Sequence, residues 1–562
     1  SRSPIFAEAR DFAVAIFDKD FRLIVQTALP LLAGTLPLAV TSIASAFEGD
    51  INEGDIYIHN DPYSGNNHLP DINIIKPNFF RGELLFWSTV KGHAADIGSK
   101  GIAGYDPKAE TIWEDGLIIP ACKLYDRGKS NDAIWKIIAA NVKVPGIVEG
   151  DLRCEVGAIT IGERRIFDLL EKYGPESLYG VIDELIARSE REIRDKIRQI
   201  PDGVYPGEKT IDFDGIVRDK PVTTRVDVIK KGDDITVDYS RSDPQTAGFV
   251  NSSYANTLSA TYSSIFSVLS AMGTEIKVNE GLLRPIKIIA PQGLVVNPRF
   301  PAPVTMCTVT MTEAITTSIW NALAKPCPQW VQAGFGEGTQ IRAKGFNPRT
   351  KRPFVDMNFF LTSAGAGANE GYDGWDEAGP AHTNGQVRKP DVEISELAYP
   401  IHILRYEQEA DRHGAGQWRG GHGSVYEVEY LVDCQAVTTG QGHIEVSRAR
   451  GLAGGEGPPL NKAYLRRKDG PTEEIEVHTY YDIKAGDIIE YHIMGGSGFG
   501  PPLKREVEKV YDEVREGYLS AGKAREDYGV VIDPDTLQLD SGATGKLRKQ
   551  MKARKAPGKA KP

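Results

Sequence analysis

Apolar and polar positions alternate with different periods along the chain. Arg10–Asp18 alternates with period two and predicts a strand, and Lys19-Asp20 turns the chain into a second strand over Phe21–Gln26. Leu36–Phe47 reads as a short apolar helix. Ile72–Ile75 and Leu84–Val90 are strand-like runs, and Phe80-Arg81-Gly82 predicts the turn between them. Residues 132–200 change to a helical period. Over Val181–Ile200, Ile182, Leu185, Ile186, Ile193, Ile197 and Ile200 share one face, and Pro201-Asp202-Gly203 ends the helix.

From about residue 205 the period shortens again. Lys209–Phe213, Val222–Lys230 and Ile235–Tyr239 predict strands. Ser253–Met272 predicts a helix rich in small residues, Leu283–Ile289 and Val304–Met311 predict strands, and Glu313–Ala324 predicts a helix. Residues 362–388 read as a glycine-rich irregular loop, and 400–495 as strands joined by glycine turns. Trp418–Gly423 is among these, as a sharp turn. Glu506–Ala524 closes the fold as a helix.

The pattern gives a mixed α+β fold: a large N-terminal sheet-and-helix region, 1–204; a central α/β region, 205–398; a strand-rich region, 399–505; a closing helix and end of fold, 506–540; and a basic tail, 541–562. The tail carries eight Lys and Arg and no acid, and reads as a mobile arm or one laid on an acidic partner surface.

Composition narrows the class. The chain is 41% hydrophobic and 25% charged with a net charge of −11, which suits a globular protein and argues against a general nucleic-acid binder. No apolar run reaches the roughly 18 residues of a membrane span, and no signal-peptide pattern opens the chain. Cys122, Cys154, Cys307, Cys327 and Cys434 are widely spaced, odd in number and without a C-x-x-C pair. They read as reduced thiols of a cytoplasmic protein. Neither a Walker nor a Rossmann glycine pattern occurs.

The candidate chemistry lies between His59 and Asp96. His68 and Asp71 are three residues apart, and His93 follows 25 residues after His68. Two imidazoles and a carboxylate suit zinc, manganese or ferrous iron, and three protein ligands leave room for water or substrate. Pro70 keeps His68 and Asp71 off a helix, so they belong to a loop entering the first strand of the hairpin. His93 ends the second strand, near the same sheet edge. On spacing alone the same residues also describe two loop histidines and an aspartate closing a turn. Asp61, Asp96 and Asp115 are the nearby candidates for proton transfer or for orienting a ligand histidine. Adjacent acids such as Glu114 and Asp115 also occur simply as solvated loop carboxylates.

The segments Asn60-Asp61-Pro62-Tyr63-Ser64-Gly65-Asn66-Asn67-His68-Leu69-Pro70-Asp71 and His93-Ala94-Ala95-Asp96-Ile97-Gly98 resemble the B-type subunits of the hydantoinase/oxoprolinase family. So do Glu114–Pro120, Gly414–Gly421, Gly495–Pro502 and Tyr528–Val531, so the resemblance covers nearly all the chain except the last twenty or so residues. Asp11 and Asp18 match family positions, where strand-end and turn roles compete with a substrate role. Leu32 stands where relatives often have a histidine, which would favour a less polar substrate. Relatives usually have a further helix before this point, so residues are expected to precede Ser1.

The resemblance implies a metal-binding B-type subunit of a hetero-oligomeric, ATP-dependent enzyme. ATP would be bound by an A-type partner with an actin-like nucleotide fold, and the substrate would be a small carbonyl compound. The favoured reaction is opening of a cyclic amide: a hydantoin, 5-oxoproline or a lactam. The alternative is an acetone- or acetophenone-type ketone carboxylase, which would add bicarbonate. A non-catalytic scaffold subunit with a structural ion is a reading from another class. Neither a membrane nor a nucleic-acid partner is expected.

Overall fold

The computed structural model describes residues 3, 5–28, 34–273, 277–358, 360, 363–381 and 389–555. Leu32 therefore lies outside the described residues, as do parts of the 362–388 loop and the end of the tail. The fold is mixed α+β, with four sheets among the described residues.

The first sheet has seven strands. They are β1 (Phe12–Asp18), β2 (Leu23–Ala28), β3 (Ile56–His59), β4 (Asp71–Phe80), β5 (Glu83–His93), β6 (Cys122–Asp126) and β7 (Lys129–Ser130). Their order is β2-β1-β5-β4-β3-β6-β7, with every pair antiparallel. β4 and β5 are buried on both faces, which explains their long apolar runs. On one side Trp87, Phe17 and Tyr57 pack on Leu36, Val40 and Ile43 of the helix Leu36–Ala46. On the other, Phe80 and Phe86 meet Ile166, Leu170, Ile182 and Ile186 of the helices Pro145–Tyr173 and Pro175–Ile197. Neighbours Phe86 and Trp87 pointing to opposite layers is the period-two rule of a strand. Leu185, expected on the buried helix face, is 48% exposed.

The remaining strands form three sheets. β8 (Gly203–Ile211), β9 (Val222–Lys231), β10 (Asp234–Asp238) and β11 (Ile286–Ile289) make one, parallel only between β10 and β11. β12 (Thr339–Asn347) and β13 (Arg352–Asp356) join β16 (Cys434–Gly440) and β19 (Tyr480–Ile483). The fourth sheet holds β14 (Ile401–Gln408), β15 (Ser424–Tyr430), β17 (Lys462–Arg466), β18 (Thr472–Glu474) and β20 (Ile488–His492). One hydrophobic cluster runs from Ile5 to Val437 and joins the first two of these regions to the N-terminal sheet.

Three expectations need correction. Val304–Met311 is not a strand: Thr305–Thr308 is a 3-10 turn leading into the helix Thr310–Leu323. Val304–Met311 is buried throughout, so its Val, Thr and Met residues answer to packing on all sides and not to a pleated surface. The closing helix is two helices, Val507–Arg515 and Ala521–Tyr528. Residues Ser541–Lys555 of the tail form a helix laid on the chain's own body, where Arg548 donates to the carbonyls of Tyr528 and Arg505 at 2.9 Å each.

The glycine-rich stretches also differ from the expected turns. Gly365, Gly420, Gly421 and Gly496 lie in backbone segments stacked directly on one another. A Cβ on Gly420 would fall 1.8 Å from the carbonyl oxygen of Gly496, and one on Gly496 would fall 1.8 Å from that of Ala366. Gly421 N–H donates to Ala366 and Gly496 N–H to Gly421, both at 2.8 Å. Glycine is needed here for close approach, not for a sharp turn, since none of the four has a positive φ.

Candidate functional site

The β4–β5 hairpin sets the geometry. Arg81 (φ +54°) and Gly82 (φ +82°) form its turn, and the register pairs Asp71 directly with His93. Paired side chains lie on one face of a sheet, so the two meet. His68 reaches the same point from a loop fixed by buried amides. Asn66 donates its side-chain amide to the carbonyls of Asn60, His68 and Asp71 at 2.6–2.9 Å. Asp71 N–H closes the turn onto the carbonyl of His68.

The resulting contacts converge on one carboxylate. His68 Nε2 and His93 Nδ1 each lie 3.0 Å from Asp71 Oδ1. His68 and Asp71 are fully buried and His93 is 4% exposed. His68 Nδ1 stands 2.7 Å from the carbonyl oxygen of Thr305. A carbonyl only accepts, so Nδ1 carries the hydrogen and Nε2 turns a lone pair toward the carboxylate. That arrangement needs a proton or a cation between the two atoms. Asp71 Oδ2 and His93 Nε2 are buried with no partner. One donor atom from each residue can be chosen so that all lie within 4.8 Å of one another. Converging lone pairs, orphaned donor atoms and an imidazole steered by a carbonyl fit a divalent ion. Burial alone would raise the Asp71 pKa, yet His68 and His93 hold it well below the usual carboxylate range. Burial opposes protonation of His93, and Asp71 beside it raises its pKa nonetheless.

The three candidate proton carriers lie in different surroundings. Asp61 caps the turn Pro62–Ser64, accepting from Tyr63 N–H and Ser64 Oγ. Asp96 accepts from Gly98 N–H and from both the backbone and Nζ of Lys143, pinning the start of the long helix. Asp115 is buried and accepts Val304 N–H at 2.9 Å, while its Oδ1 has no partner. Burial pushes it up to about 7 against the pull of Thr305 and Val304. Val304 and Thr305 thus tie Asp115 and His68 to one short stretch. Asp18 is a turn carboxylate bound to Arg22, and Asp11 offers its backbone carbonyl to His93 N–H.

Sequence reasoning missed two buried cations. Lys91 shares a sheet face with His93 and donates to Thr35 Oγ1 and to Asn67 Oδ1. Burial lowers it to about 7, against the pull of Asp71 and Cys307. Arg342 of β12 is fully buried, with its guanidinium carbon 3.5 Å from the centre of the Tyr105 ring. Tyr105 in turn stacks on His93 with centroids 6.3 Å apart. A lysine inside a strand that is apolar on both faces was a readable signal. Arg342, some 250 residues beyond His93, carried none.

The model of the family described as Hydantoinase B/oxoprolinase matches residues 1–502. The beta subunit of the caprolactamase of Pseudomonas jessenii is 34% identical over 97% of this chain and 94% of its own. The B-type component of a putative D-/L-hydantoinase from Pseudomonas sp. (strain NS671) is 32% identical over 98% and 94%. In the crystal structure of the ATP-dependent caprolactamase from P. jessenii, a chain superimposes with a TM-score of 0.89 at 33% identity, covering 98% of this chain and 95% of that one.

Proposed function

This chain belongs to the hydantoinase B/oxoprolinase family, and on that premise we propose that it is the metal-holding subunit of an ATP-dependent enzyme that opens a cyclic amide. The observation that carries this reading is the convergence of His68, Asp71 and His93 with two donor atoms left unpartnered. The caprolactamase and the hydantoinase act, by name, on amide rings, which favours hydrolysis over ketone carboxylation. A divalent zinc, manganese or iron ion bound there supplies Lewis acidity to a carbonyl oxygen or to water.

The chain's own residues provide the rest. The Thr305 carbonyl fixes the tautomer and ring plane of His68. Asp115, with a free oxygen and a pKa near neutrality, holds or releases the proton that ring opening moves. Asp61 and Asp96 hold the loops in place. Arg342 and Lys91 offset negative charge built up on an attacked carbonyl. Kinship with the B-type subunits of this family supports a separate A-type partner with an actin-like nucleotide fold that uses the ATP. Among the described residues no helix is long and apolar enough to cross a membrane. We place the enzyme in the cytoplasm, where widely spaced cysteines without a C-x-x-C pair stay reduced.

The test is ATP consumption by the purified native complex, with element analysis of the same sample. Turnover of a lactam, hydantoin or 5-oxoproline without stoichiometric fixation of carbon dioxide is the expected result. ATP use that tracks labelled bicarbonate into a ketone overturns the hydrolase. His68→Ala is expected to lose both the ion and turnover while keeping the unfolding profile. Activity persisting without the ion overturns the metal reading.

A further inference from the structure

The hairpin of β12 and β13 borders a cavity of about 350 Å³. Its wall is mostly apolar: Phe354, Met357, Phe360 and Tyr426 are buried in it, and Ala95 and Ile147 reach it from the N-terminal region. Thr350, Arg352 and Ile394 stand exposed at its edge and mark the mouth.

Among the described residues only two of the lining side chains are charged types, Arg352 and Asp356, and both belong to β13. Alternate residues of a strand share a face, so Arg352, Phe354 and Asp356 form one row. Exposure falls along it: Arg352 is exposed, Phe354 is 6% and Asp356 4% exposed. Four residues of strand separate the two charged positions by about 13 Å. Asp356 is engaged at the inner end, where its Oδ1 accepts Asn358 N–H at 2.8 Å. The Arg352 side chain makes no hydrogen bond or ion pair among the described residues.

Water gains little in an apolar space, because it finds few polar partners there. A cavity of about 150 Å³ takes benzene, so this one has room for an apolar body of roughly ten carbons. Burial of such a body is favourable. At the mouth, the unengaged guanidinium offers paired N–H donors to a planar anion. One cation balances the single charge of a carboxylate, whereas a phosphate monoester carries about 1.5 to 2 charges. The acid at the inner end disfavours a second negative group there. The wall thus fits one anionic head at the mouth and an uncharged tail inside.

We propose that this cavity binds an amphipathic monocarboxylate, with its carboxylate on the Arg352 guanidinium and its apolar tail against Phe354 and Met357. None of the metal triad lines this cavity, so the proposal does not depend on the reaction assigned to that site.

The test uses the full chain without ATP or a partner. Met357 is one of six methionines, so methyl-labelled methionine gives a probe in the wall, assigned with Met357→Leu. Octanoate below its micelle concentration is expected to shift the Met357 methyl resonance saturably. Butanoate keeps the head but loses four methylenes, and is expected to bind at least about a hundredfold more weakly. 1-Octanol keeps the tail but loses the charge, and is expected to bind about tenfold more weakly. In Arg352→Gln, a change at an exposed position, octanoate should fall to the level of 1-octanol, while 1-octanol itself is unaffected. No saturable shift with octanoate overturns the proposal. So does 1-octanol binding as tightly as octanoate, or an Arg352→Gln variant that still binds octanoate at full strength.

Discussion

At the residue scale, Asp71 is the hub, because one of its oxygens meets both imidazoles at 3.0 Å. Asp71→Asn keeps the size but removes the charge. The variant is expected to retain no stoichiometric divalent ion after dialysis, as read by element analysis; full retention would exclude Asp71 as a ligand. Asp115 makes a separate, pH-dependent prediction. Its folded pKa of about 7 lies above the ordinary 3.8, so the folded state holds an extra proton between those values. Stability therefore falls as pH rises through that window, by at most about 4 kcal/mol, and levels off above it. In Asp115→Asn this contribution should vanish, so the gap between variant and parent in denaturant midpoint should widen in the variant's favour from pH 4.5 to 7.5. A gap that does not change with pH would place Asp115 in contact with water. The meeting of His68, Asp71 and His93 could be anticipated from local signals, a proline beside a turn, a hairpin and a histidine at its end, joined to the family resemblance, whereas Asp115 stood only as one of three candidate acids. Thr305 and Arg342 could not, since only tertiary folding brings them to the hairpin.

At the element scale, the two long helices and the first sheet stand on a few side chains. Ile186 is 2% exposed against Phe86, while its neighbour Leu185 is 48% exposed. Ile186→Ala is expected to cost about 2–5 kcal/mol in denaturant unfolding, and Leu185→Ala less than about 1 kcal/mol. Equal losses would mean that the helix face has been assigned wrongly. Periodicity placed the helix but not its rotation to that accuracy, because Val181 and Leu185 widen the apolar stripe beyond what the sheet covers. The misread Val304–Met311 run fails for a related reason: it is buried throughout, so its alternation of Val, Thr and Met has no solvent-facing side to reveal the 3-10 turn and the start of the helix.

At the scale of the whole molecule, distant segments depend on one another. The helix Ser541–Lys555 is anchored by Arg548 on two backbone carbonyls, with Thr544 Oγ1 accepting Val531 N–H. Removing residues 541–562 is expected to lower the melting temperature by a few degrees and to leave the rest folded; an unchanged melting temperature would show that the helix is not docked. Gly420→Ala is expected to be far more severe, since its new methyl would enter the Gly496 carbonyl. Normal yield and melting temperature for this variant would refute the close stacking.

That stacking also governs how the protein comes into being on a ribosome. The ribbon at Gly365–Ala366 must wait for Gly420–Gly421, and both must wait for Gly495–Gly496, about 130 residues after the first. Until the last ribbon emerges, the amide of Gly414 and the carbonyl of Gly421 lack their counterparts on Gly496, and these backbone layers stay open to water and chaperones. A transcript cut short before codon 495 would therefore yield a chain whose stacked glycine layers cannot close. The cell's proteases could recognise such a product without inspecting its active site.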